Sequence, residues 1–173
     1  MNYFTGILED DCYTMYMYLE ILPLHNSGNR AKLNNGKSPK SNVYGTTTFK
    51  SNNGQPRVHS EGKNYYTKLR TEFPEYENIF KEFIYLHSKS FIYNQVVINK
   101  NFKITKHKDA SNVGESVIIG LGDYQGGELC LESNGKIQTH SIKNQFLKFN
   151  GSLIPHWVTD FKGDRYSLVF YNI

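Results

Sequence analysis

Cysteine, tryptophan and proline are scarce in this chain of 173 residues, with two, one and five copies. Cys12 and Cys130 lie far apart and form no C-x-x-C pair. That argues against a disulfide framework or a cysteine-built zinc site and suits a reducing cytosol. No run of about 18 apolar residues occurs, so no membrane-spanning helix is expected. The opening Met1-Asn2-Tyr3-Phe4 lacks the basic-then-apolar layout of a secretory leader. Aromatic residues, by contrast, are plentiful: 13 Tyr and 11 Phe bring the aromatic share to 14% and the hydrophobic share to 38%. This composition excludes a disordered or collagen-like chain, and the length suits one domain over 1–173.

Basic residues are missing altogether from the first 22 positions, which hold Glu9, Asp10, Asp11 and Glu20. The net charge of +4 is therefore unevenly spread. Residues 23–70 carry nine basic side chains against Glu61 alone, a net +8, whereas 71–173 hold eleven of each sign. A basic excess confined to one Asn/Ser/Gly-rich stretch points to a polyanionic partner, or more simply to a solvated loop.

Residues 6–22 read as a helix, with Ile7, Met15, Tyr18 and Ile21 at roughly helical spacing and acids in the first turn. Pro23 ends it. Residues 25–64 are rich in turn signals such as Asn34-Asn35-Gly36 and Asn52-Asn53-Gly54, with short strands expected around 43–49. A second helix is expected from Pro74 to Leu86, burying Ile79, Phe80, Phe83 and Ile84. From Phe91 onward, eight short strands rich in Val, Ile, Tyr and Phe are expected at about 91–99, 103–107, 116–122, 128–132, 136–141, 145–150, 155–160 and 165–172. That count predicts a mainly β, α+β fold: a sandwich or jelly roll with two N-terminal helices against one sheet. Residues 1–90 would then form a helical and basic support region, and 91–173 the core.

Six histidines are present, and His107-Lys108-Asp109 stands out among them. On an extended segment residues two apart point the same way, so imidazole and carboxylate can grip one metal ion. Alone the pattern reads equally well as a surface turn with an ion pair, as does His59-Ser60-Glu61. His156 follows 47 residues after Asp109, at the head of a later strand. Two histidines and a carboxylate on one face form the ligand set of non-haem Fe(II) oxygenases. Arg165 and Ser167 share a strand face nine and eleven residues further on, suited to hold a carboxylate, unless Arg165 merely pairs with Asp160 or Asp164 on the surface. His140, between Thr139 and Ser141, reads as structural.

His107-Lys108-Asp109, His156 and Arg165-Tyr166-Ser167 together resemble the 2-oxoglutarate/Fe(II)-dependent dioxygenase superfamily, whose core is a double-stranded β-helix of eight strands. Gly126-Gly127-Glu128-Leu129 and Phe149-Asn150-Gly151 are similar to idioms of the same superfamily, and the likeness covers 91–173. It implies an oxidoreductase using Fe(II), 2-oxoglutarate and O2, with His107, Asp109 and His156 as metal ligands and catalytic centre, and Arg165 and Ser167 on the co-substrate. His107-Lys108-Asp109-Ala110-Ser111-Asn112 further resembles the H-[KR]-D-x-x-N motif of the TET/JBP group, which oxidises the 5-methyl group of pyrimidines in DNA. That implies a nucleic-acid substrate, DNA ahead of RNA, with Asn112 on the base; as a turn residue beside Gly114 it needs no such role. Tyr44, Arg57 and His59, in or near the basic stretch, are further candidates for the substrate side. Prolyl hydroxylases share the Gly-Gly-Glu-Leu and closing segments, so an oxygenase acting on protein or a small molecule stays open, as does a non-catalytic jelly-roll module. Tyr171 stands where AlkB-type enzymes carry a second arginine, which argues against that group. No membrane partner is implied, and a monomer is compatible with every reading.

Overall fold

The computed structural model describes residues 2–47 and 65–173. Helix α1 (Leu8–Ile21) opens the chain and α3 (Tyr76–His87) lies beside it, after a short α2 (Lys68–Glu72) capped by the Thr67 hydroxyl. Helix α3 buries the four apolar residues expected from its spacing, together with Tyr76. In α1 the buried stripe is different: Asp11, Cys12, Met15 and Leu19 turn inward, while Ile7 and Ile21 are 60% and 73% exposed. The chain needs Asp11 inside, because it gathers the donors that start the helix. Its carboxylate accepts from Thr5 N (2.7 Å), Thr5 Oγ1 (2.8 Å) and Gly6 N (2.9 Å), and meets His87 Nε2 of α3 at 2.7 Å. Apolar spacing alone cannot reveal a helix face anchored by a charge.

A six-stranded antiparallel sheet supports both helices. Its strands are β1 (Lys40–Thr47), β2 (Tyr65–Tyr66), β3 (Gln95–Lys100), β4 (Ser116–Leu121), β8 (Leu147–Phe149) and β11 (Tyr166–Tyr171), in the order β2-β1-β3-β11-β4-β8. A three-stranded sheet orders β7 (Lys136–His140), β6 (Leu129–Ser133) and β9 (His156–Val158), and β5 (Tyr124–Gly126) pairs with β10 (Phe161–Gly163). The architecture is the mainly β jelly roll expected, with the helices on one outer face.

Alternation along β11 divides the core in two. Tyr166, Leu168 and Phe170 meet the helices, with Phe80 and Phe170 rings 6.2 Å apart at 79°. Val169 and Tyr171 face the other way, towards Leu129, Leu131 and Phe149. The period of two therefore sends Arg165 and Ser167 to the interior beside Val169 and Tyr171.

Two strand expectations need correction. Residues 103–107 form no strand among the described residues, although they run beside β9. Val158 N donates to Ile104 O, whereas His156 exchanges both backbone hydrogen bonds with His107, all at 3.0 Å. Three steps on one side thus face two on the other, a bulge that breaks the ladder and re-aims His107. The basic stretch, in turn, supplies more than short strands. β1 pairs over six residues with β3, and a 3-10 turn (Gly28–Asn34) precedes it.

Burial works against ionisation of Asp11, but the hydrogen bonds from Thr5, His87 and Gly6 outweigh it and hold its carboxyl below the usual range. Removing a buried carboxylate that gathers several donors leaves them unsatisfied, so Asp11→Asn should lower the free energy of unfolding by about 3 kcal/mol near neutral pH. A depressed carboxyl stabilises above its ordinary value and loses that contribution as pH falls. The parent and variant denaturation curves should therefore converge below about pH 4. A constant gap down to acid pH would contradict this role.

Candidate metal centre

His107, Asp109 and His156 offer ligand atoms that all lie within 4.8 Å of one another. Mutual backbone pairing sets the two histidines side by side, with ring centroids 4.3 Å apart. Each Nδ1 lies 2.8 Å from the carbonyl oxygen two residues earlier, Thr105 for His107 and Ile154 for His156. A carbonyl can only accept, so each Nδ1 donates to it and each ring turns its Nε2 towards Asp109. The Nε2 atoms of His107 and His156 lie 3.4 Å from Asp109 Oδ1 and Oδ2, respectively. Two imidazole nitrogens and a carboxylate converging on one point form a ligand set able to hold a cation. This arrangement, histidines oriented by carbonyls and a carboxylate completing one face, fits Fe(II).

Burial pushes the Asp109 carboxyl up, but the two imidazoles outweigh it and hold the group well below the ordinary carboxylate range. It is thus available as a ligand at any physiological pH. Its backbone N–H donates to Gly151 O (2.9 Å), and a Cβ at residue 151 would stand 2.8 Å from Asp109 Oδ2. Gly151 leaves the room in which the carboxylate turns towards the histidines.

Asn112 sits at the same site in a specific role. Its Nδ2 donates to Asp109 Oδ2 (3.4 Å) and Ser116 Oγ (3.3 Å), so its amide steadies the ligand carboxylate. Ser167 lines the same cavity, and its hydroxyl accepts from Asn99 Nδ2 (3.2 Å), while Asn99 Oδ1 accepts from the Ser41 hydroxyl (2.6 Å).

Arg165 lies one step beyond Ser167 on the same face and is 1% exposed, which removes the surface-pairing alternative. Asp160 instead pairs with Lys103, and Asp164 accepts from Asn101. The guanidinium rests between the Tyr124 and Phe161 rings, 5.4 Å from each centroid. Nη2 donates to Gly127 O (3.1 Å), while Nε has no partner. Gly127, at φ +69°, accommodates it, since a Cβ there would stand 2.6 Å from Nε. A buried cation with an idle donor and no carboxylate within ion-pair reach among the described residues fits an anionic ligand such as the far carboxylate of 2-oxoglutarate.

Tyr44 does not join this site. It is 3% exposed, packs on Phe80 and donates its hydroxyl to Phe73 O (3.1 Å). Strand alternation sends Tyr44 to the helices while Ser41 and Val43 face the interior. Arg57 and His59 lie outside the described residues. His140 stands on β7, away from the cavity. The sequence reading missed Arg30 and Trp157, which border the metal cavity, and Asn99. Only the charge count hinted at Arg30, and nothing local marked the others.

No family model matches the chain, and no curated protein matches it. Solved structures do. A 2OG-Fe(II) oxygenase family oxidoreductase from Burkholderia pseudomallei aligns with a TM-score of 0.56 at 18% identity, over 92% of this chain and 76% of that one. NgTET1 in complex with 5mC DNA aligns at 0.54 and 15%, over 91% and 67%. A prolyl-4-hydroxylase from Pseudomonas putida aligns at 0.53 and 11%, over 98% and 88%. The chain therefore has the jelly-roll fold of 2-oxoglutarate/Fe(II) oxygenases, with a His-Asp-His cluster able to hold a metal ion inside it.

If this cluster is the metal site, His107→Ala should weaken Mn(II) or Fe(II) binding about a hundredfold or more in calorimetric titration. Gly151→Ala should weaken it about tenfold by displacing the carboxylate. Unchanged affinity in both would place the metal elsewhere.

Proposed function

We propose that the chain is an Fe(II)/2-oxoglutarate-dependent dioxygenase that hydroxylates a C–H bond of a nucleic acid, the 5-methyl group of a pyrimidine in DNA being the preferred target. The observation that carries the enzymatic reading is the three-ligand cluster at one end of an interior face and the unpaired, buried Arg165 at the other. When bound, iron and 2-oxoglutarate supply the oxidation: one oxygen atom enters the substrate as hydroxyl, the other enters succinate, and carbon dioxide leaves. The chain's own residues do the rest. His107, Asp109 and His156 hold the metal on one side, leaving the opposite positions for other ligands. Arg165 and Ser167 fix the co-substrate's far end, and Asn112 steadies Asp109. The apolar lining from Val97, Ile118, Leu129 and Val169 keeps the cavity dry.

Charge around the cavity supports the substrate class. Arg30 borders it from the 3-10 turn, which is tied to the segment before His107 by the bond from Thr105 N to Leu33 O (3.1 Å). Lys32, Lys37 and Lys40 follow it in the same turn and the lead into β1, and none of the four makes an ion pair with a described residue. Lys68 and Arg70, by contrast, are paired with Glu72 and Glu77. Unpaired cations beside a reaction centre suit phosphates. The likeness to NgTET1 in complex with 5mC DNA supports the same reading.

Mass spectrometry of nucleosides after incubation with Fe(II), 2-oxoglutarate and methylated or unmethylated DNA and RNA tests the proposal. The expected product is 5-methylcytosine or thymidine heavier by one oxygen atom. Oxidation of a proline-containing peptide, with none of any nucleoside, would overturn the substrate reading in favour of a prolyl-hydroxylase-like activity. Arg30→Ala should weaken DNA binding and reduce the slope of log affinity against log salt by about one.

A further inference from the structure

Polar side chains on the outer face of the three-stranded sheet satisfy one another. Lys106 pairs with Glu132 of β6 and lies 5.1 Å from the Trp157 ring centroid, and Cys130 Sγ meets Thr139 Oγ1 at 3.5 Å. The inner face differs. Cross-strand partners share a face, so the register of Leu131 with His156 and with Gln138 sets these three residues in one row. Leu131 belongs to the interior cluster and His156 to the ligand set, so Gln138 stands on the interior side as well. Ser133 and Lys136 form the next row of that face. Interior positions of packed sheets are normally apolar and covered. Here Leu129 and Leu131 are buried, whereas Ser133, Lys136 and Gln138 are exposed. None of these three side chains makes a hydrogen bond or ion pair with a described residue. The core runs out along this face, and the row that begins at a metal ligand continues into open space.

Resting on the nucleic-acid reading above, we propose that Gln138 is a specificity-determining residue that hydrogen-bonds the Watson–Crick edge of the target pyrimidine. Adjacent strands lie about 4.8 Å apart, so the Gln138 backbone stands roughly 10 Å from that of His156. From there a glutamine side chain reaches back over Leu131 towards a substrate held at the metal. A two-residue turn, Asn134-Gly135 with φ of 52° and 71°, keeps β6 and β7 in this register. A primary amide offers donors and an acceptor together, which complement the 4-amino group and ring nitrogen of 5-methylcytosine. The unpaired cation of Lys136, on the same face, suits the phosphates of such a substrate. Neither the 107–112 nor the 156–167 motif signals Gln138, because its tie to the metal runs only through register across two strands.

Binding of short single-stranded oligonucleotides to the protein loaded with Mn(II) and 2-oxoglutarate, without oxygen, tests the assignment by fluorescence anisotropy. One oligonucleotide carries 5-methylcytosine and the other 5-methyl-2-pyrimidinone, which lacks only the 4-amino group. The parent should prefer 5-methylcytosine about fivefold or more, the range of one hydrogen bond. Gln138→Ala, in a variant whose melting temperature matches the parent, should bind the two alike. Ile137→Ala, one residue away on the outer face and 58% exposed in the parent, should keep the preference. A preference that survives in Gln138→Ala, is lost equally in Ile137→Ala, or is absent from the parent overturns the role of Gln138 alone. A parent that binds neither oligonucleotide overturns the nucleic-acid reading as well.

Discussion

Two histidines that exchange backbone hydrogen bonds with each other set the geometry on which the site depends. Because His107 and His156 pair directly, their rings must leave the backbone side by side. The preceding carbonyls of Thr105 and Ile154 then fix both rings with their Nε2 atoms towards Asp109. The bulge before His107 breaks the strand so that Asp109, two residues on, can swing under both rings. Gly151 gives that carboxylate room. The ligand cluster follows from backbone pairing, carbonyl placement and one missing side chain.

β11 links this cluster to the rest of the molecule. Its outward residues, Tyr166, Leu168 and Phe170, are held by α1 and α3, and its inward ones run from Arg165 past Ser167 to Val169 and Tyr171. The helices thus do more than cover apolar surface: they hold the strand that spaces Arg165 from the metal ligands. A one-residue slip of β11 would turn Arg165 and Ser167 towards the helices and destroy the site without changing its composition.

Much of this was legible from local pattern. The jelly roll, both helices, and the His107-x-Asp109 and Arg165-x-Ser167 pairs rest on short-range spacing, to which sequence reading is sensitive, whereas His156, 47 residues after Asp109, joined them through the expected jelly roll and the family resemblance. What escaped it depends on register and space between distant segments. Tyr44 was taken for a substrate residue, yet strand alternation places it under α3. Asn99 matters because it stands opposite both Ser41 and Ser167 in the ladder. Arg30 reaches the cavity because a 3-10 turn is tied to the segment before His107. The motif placed Asn112 on a base, and the structure adds a contact of its amide with Asp109 that the motif did not signal. The inward face of α1 followed the charge of Asp11 rather than the most apolar spacing.

The central claim is that one interior face holds a metal at His107, Asp109 and His156 and the far carboxylate of a 2-oxo acid at Arg165. Anomalous diffraction from crystals grown without oxygen, in Mn(II) and 2-oxoglutarate, tests this directly. The predicted result is a single metal peak bound by both Nε2 atoms and the Asp109 carboxylate, with the 2-oxo acid reaching from it to Arg165. A metal peak away from these three residues, or a 2-oxoglutarate whose far carboxylate lies elsewhere, would contradict it.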